Sequence, residues 1–175
     1  MNKYLEMIEG LVTSATEGMT EEQLTFHHAG KWSTAQILEH LSKTYTGTRR
    51  GFEKALAANR SLATTSTARQ LFVRFLLIGL GYFPRGRKSP ERVAPSGNWT
   101  GEHAVKTIHQ ELANLMEAQA KVEKTFSRMK FLDHPVLGPL TPEQWARFHY
   151  VHARHHMKQI ATLRQQTATI RSASA

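Results

Sequence analysis

The chain predicts an all-α protein: a four-helix bundle with an additional short helix. Three observations carry this. Apolar residues recur at steps of three and four along several separate segments. Helix-start signatures precede some of these segments. No segment shows strand-like alternation. At 175 residues the chain is long enough to bury one substantial core. We read a single domain over residues 1–170, followed by a frayed polar tail over 171–175.

The first helix runs from Lys3 to about Thr16, with Tyr4, Leu5, Ile8, Leu11 and Val12 on one face, and breaks at Gly18. Thr20 and Gln23 cap one short turn. A second long helix starts at Ser33, where Ser33-Thr34-Ala35-Gln36 is a capping box, and continues through Ile37, His40, Leu41 and Phe52 toward Ala58. Thr67 to Gly81 is a third, strongly apolar helix that stops before Pro84. Residues 85–90 and 93–97 are rich in Pro, Gly and Ser and read as loop. A fourth helix covers about Glu102 to Ser127 and buries Val105, Ile108, Leu112, Leu115 and Met116. Residues 132–140 read as a second extended loop. Thr141-Pro142-Glu143-Gln144 then opens the last helix with another capping box and Pro at its first position.

Composition excludes several function classes. With no cysteine, disulfides, zinc–thiolate sites and a protein thiol nucleophile are ruled out, so any metal must take nitrogen or oxygen ligands. The balance of 40% hydrophobic and 21% charged residues is that of a soluble globular protein, and the N-terminus lacks the apolar core of a signal peptide. We expect a cytoplasmic protein with no membrane partner. A net charge of +9 and a pI near 10.1 suggest anionic ligands, yet the basic residues are dispersed, so nucleic acid is not the expected partner. The segment Leu71 to Phe83 is apolar nearly all round its helix, through Leu71, Phe72, Val73, Phe75, Leu76, Leu77, Ile78 and Leu80. One bundle core needs one stripe, so the surplus predicts a homodimer interface.

The most informative segment is His149-Tyr150-Val151-His152-Ala153-Arg154-His155-His156. His152 and His156 stand one helical turn apart on one face, the spacing at which two imidazoles can share a metal ion. That face is apolar: Trp145, His149, His152, His156, Ile160 and Leu163 form the inward stripe. The residues alone leave two readings open, a metal pair or two buried rings bonded to hydroxyls or water. Catalytic sites of this kind take three protein ligands and leave a position open. His40 is the third candidate, since it lies on the inward face of another long helix.

Lys31-Trp32-Ser33-Thr34-Ala35-Gln36-Ile37-Leu38-Glu39-His40-Leu41, together with His152-x-x-His155-His156, resembles the DinB/YfiT-like superfamily. His134-Pro135-x-x-Gly138, Trp145 and Gln159 extend the likeness to a branch of uncharacterised function. The resemblance covers most of the chain. It implies a helical bundle and a metal triad of His40, His152 and His156. His149, Gln159 and His134 are the pocket candidates, with His149 favoured as pocket lining over ligation and His134 as a turn-stabilising group. His155 is rotated by about 100° from His156 and belongs to the rim. His27, His28, His103 and His109 have no partner at ligand spacing and read as surface groups. Glu39 points away from His40 and reads as a solvated charge.

The resemblance further implies one divalent ion, zinc or nickel before iron, and a small-molecule substrate. The expected activity is that of a metal-dependent S-transferase or hydrolase. In the first case a low-molecular-weight thiol is the cosubstrate; Arg85, Arg87, Lys88 and Arg92 are weak candidates for binding its carboxylate or phosphate, and a solvated loop is the reading favoured over that one. Two alternatives are a basic binding module for nucleic acid or an anionic ligand, with structural histidines, and a scaffold with a structural metal.

Overall fold

The computed structural model describes residues 2–83 and 89–173, with side chains as far as residue 167. Four long helices form the body. These are α1 (Lys3–Thr16), α3 (Thr34–Ala57), α5 (Gly101–Phe126) and α6 (Pro142–Ala173), with the short α2 (Glu21–Thr25) between the first two. α3 packs along α5, and α1 along α6. Their inward stripes meet in one core that includes Leu5, Ile8, Leu38, Tyr45, Phe52, Ile108, Leu115 and Ile160. No described helix is long and apolar enough to cross a membrane.

The starts of the helices follow the predicted chemistry. Ser33 and Gln36 exchange side-chain and backbone hydrogen bonds, as do Thr20 with Gln23 and Thr141 with Gln144. The α5 N-terminus is capped a second way, by the Glu21 carboxylate, which accepts from the N–H groups of Gly101 and Glu102. That approach needs glycine, because a Cβ at position 101 would sit 2.4 Å from the Leu24 Cβ.

Three elements differ from expectation. The third helix is α4 (Ala68–Arg74) followed by a π-helical turn over Phe75–Gly79, closed by Leu80 N–H donating to the Phe75 carbonyl at 3.0 Å. Residues 132–140 are not a loop but a hairpin, with β1 (Leu132–His134) antiparallel to β2 (Gly138–Leu140). Strands of three residues are too short to show alternation. Their turn is set instead by Gly138 at φ +70° and by the His134 ring, whose Nδ1 accepts from the N–H groups of Val136 and Leu137. Finally, α6 runs on through Ala173, past the boundary expected at residue 170.

Candidate metal centre

α3 and α6 bring the three candidate ligands together. His40, His152 and His156 are buried, at 5%, 6% and 6% exposure, and their ligand atoms lie within 4.8 Å of one another. The His152 Nε2 is 3.2 Å from the His40 Nε2 and 3.1 Å from the His156 Nε2. Nitrogens held at about 2.0–2.1 Å by one tetrahedral ion are separated by roughly 3.3 Å, so the spacing fits a shared ion.

Tautomers follow from the partners. A carbonyl oxygen can only accept, so His40 Nδ1 carries the proton it donates to Val93 O at 2.8 Å. The His156 Nδ1 likewise donates to the Gln159 Oε1 at 2.8 Å. Both rings therefore turn an Nε2 lone pair toward His152, the arrangement a metal-binding imidazole requires. The His152 Nδ1 is buried without a hydrogen-bond partner. Burial holds all three rings neutral: it lowers the His40 pKa despite the Val93 bond, and with neighbouring imidazoles it drives His152 well below the usual value. His156 is pushed down to about 3 by burial and then by His40, against the opposing bond to Gln159.

Aromatic rings enclose the triad. Trp32 lies 5.1 Å from the His40 ring and 6.5 Å from that of His156, while Phe83 stacks on His152 at 5.2 Å and on His155 at 4.7 Å. Neither ring was assigned a role from the residue pattern, because their positions depend on loops. The triad forms part of the wall of a cavity of about 1660 Å³. Gln159, His155 and His134 also line it.

His149 does not. It is 1% exposed and packs against Tyr45, Trp145 and Phe148, of which the last two do reach the cavity. Its position on α6 sets it toward α3 rather than the opening, and burial drives its pKa down to about 3. The His134 imidazole is lowered to about 4 by burial and then by the charge of Arg92.

Glu39 is a second correction. It is fully buried rather than solvated and accepts from the N–H and hydroxyl of Ser96 and from the N–H of Gly97. Burial raises its pKa, but the bonds from Lys43, Ser96 and Gly97 outweigh this and hold it below the usual carboxylate range. Arg92 is exposed at the cavity wall, whereas Arg85, Arg87 and Lys88 lie outside the described residues.

A family model described as a protein of unknown function, DUF1569, matches residues 9–162, a span that contains the whole triad. The chain belongs to the DUF1569 family. No curated protein sequence matches it. Among solved structures, this DUF1569 chain is similar to YfiT from Bacillus subtilis, described as a probable metal-dependent hydrolase with an unusual four-helix bundle topology. The match covers 95% of this chain and 85% of that one, at 16% identity and a TM-score of 0.60. At that identity the likeness establishes the fold alone, a four-helix bundle like that of YfiT.

Proposed function

We propose that this DUF1569 protein is a metal-dependent hydrolase of a small molecule, with one divalent ion held by His40, His152 and His156. One observation carries the reading: three buried imidazoles converge at the wall of a cavity, two of them with tautomers fixed for ligation. An ion held there supplies Lewis acidity, which acidifies water toward neutrality and polarises a carbonyl. The chain does the rest. Val93 and Gln159 orient His40 and His156, Trp32 lies beside both of these rings, and Phe83 covers His152. Among the described residues lining the cavity, Asp133 is the one carboxylate, and Thr64 engages both its oxygens. His155, half-buried on the wall with its ring centroid 5.2 Å from that of His156, is our candidate for accepting a proton at an imidazole nitrogen.

Hydrolysis is favoured over thiol transfer, which gains nothing from the cavity or the structural neighbour. A basic binding module does not account for three imidazoles turned toward one point. The test is metal analysis of protein purified without chelator, followed by an ester and amide hydrolysis screen with and without chelator. We expect about one zinc, nickel or iron per chain, absent from His152→Ala and His156→Ala. Full occupancy in both variants overturns the site, and chelator-sensitive thiol transfer without hydrolysis replaces the reaction.

We further infer a homodimer. Five of the eight large apolar side chains exposed among the described residues, Leu71, Phe72, Phe75, Leu80 and Tyr82, fall in one short segment. Sedimentation showing a monomer at high concentration would count against it.

A further inference from the structure

The cavity wall is uneven in charge. Among the described residues it presents Lys31, Lys43, Arg50 and Arg92 against the single carboxylate of Asp133. Lys43 is already paired with Glu39 at 2.7 Å. Arg92 has no hydrogen bond or ion pair to a described residue, and its position is particular. It sits in the 3₁₀ turn Glu91–Val93, one residue before the carbonyl that holds the His40 ring. Arg92 lines the same cavity as His40 and as His134 on the β-hairpin, and its side chain is exposed. Arg50, by contrast, lies ten residues along α3 from His40, about 15 Å away along the helix.

The remaining wall is apolar. Trp32, Leu76, Phe83 and Phe148 line it, and Phe72 does so while 63% exposed. A guanidinium fork beside an apolar trough matches a ligand with a carboxylate or phosphate at one end and hydrocarbon at the other.

Resting on the hydrolase reading of this same site, we propose that its substrate is a small amphipathic anion. The anionic group pairs with Arg92, and the apolar part lies against Trp32, Leu76 and Phe148.

The test uses the full chain stripped of metal by chelator, titrated calorimetrically at low salt with octanoate, octyl phosphate, octanol and octylammonium. One of the two anions should bind about tenfold more tightly than octanol, and octylammonium more weakly. Which anion wins separates a carboxylate from a phosphate substrate. Arg92→Gln should bring the anion to the level of octanol, leaving octanol binding and the melting temperature unchanged, while Arg50→Gln keeps the preference. Equal affinity for octanol and both anions, no binding by any probe, or transfer of the effect to Arg50→Gln overturns the proposal. Because no ion is present in this titration, its failure leaves the hydrolase reading standing. That reading falls instead on metal analysis.

Discussion

Glu39 and Ser96 are joined twice: one carboxylate oxygen accepts from both the backbone N–H and the hydroxyl of Ser96, each at 2.7 Å. The same loop carries Val93, whose carbonyl orients the His40 ring. A buried charge on α3 therefore fixes the loop that fixes the neighbouring imidazole. Glu39→Gln keeps the shape but loses the charge and presents donors where the loop needs acceptors. We expect a cost of about 1–3 kcal/mol in the metal-free protein and a fall in metal affinity of about tenfold. Urea denaturation and competition with a chromophoric chelator measure the two. Metal affinity equal to that of the parent chain would show that the loop does not govern His40.

Gln159 acts on the other side of the triad, where its Oε1 accepts the His156 Nδ1 proton. It is exposed, so its replacement should hardly disturb folding. Gln159→Leu should lower metal affinity by roughly 10–100-fold, with a melting temperature in chelator within a degree or two of the parent. An unchanged affinity would mean that the bond does not set the ring.

The inward placement of His40, His152 and His156 was legible because helical period and burial are properties of local sequence. Trp145, His149, His152, His156, Ile160 and Leu163 are all buried, as their spacing requires. Glu39 was misread for the opposite reason: its partners come from a loop 57 residues on, and no local pattern announces them. Nor could the sequence show that a backbone carbonyl, that of Val93, would orient the His40 ring. The hairpin escaped detection because its register rests on one glycine and one imidazole rather than on alternation. His149 shares the stripe with the triad, but the stripe drifts around the helix, and residues three apart differ by about 60°.

Acid should destabilise the metal-free protein early. Burial holds His149 at about 3 and His134 at about 4, whereas both titrate near 6.5 when unfolded. The unfolded chain therefore binds more protons below pH 6.5, so stability is full above that value and falls as the pH drops toward the folded pKa values. By pH 4.5 each ring contributes a loss of roughly 2–3 kcal/mol. His149→Leu removes one of these titrations. Its stability should fall less steeply between pH 6 and 4.5, by about one proton in the slope. A slope identical to that of the parent chain would place His149 in water.

Removing the metal should weaken the fold without abolishing it. An ion bound by His40 on α3 and by His152 and His156 on α6 ties together segments more than a hundred residues apart in sequence. Linkage then adds about 2.7 kcal/mol at a free ion concentration one hundred times the dissociation constant. For a domain of this size that amounts to roughly 5–10 °C in melting temperature. The apolar core supplies stability of its own, because Leu38, Tyr45, Ile108, Leu115 and Ile160 are fully buried in it. Circular dichroism after chelation should thus show the same helix content and a lower melting point. Nitrogen NMR adds a sharper criterion. Without an ion, His152 is the one ring of the three that can carry its proton on Nε2 and share it with His40 and His156, while ligation forces that proton to Nδ1. Loading the protein with zinc should therefore switch the His152 tautomer and leave those of His40 and His156 as they are. Loss of helix on chelation would make the metal structural. An unswitched His152 would remove it from the ligand set.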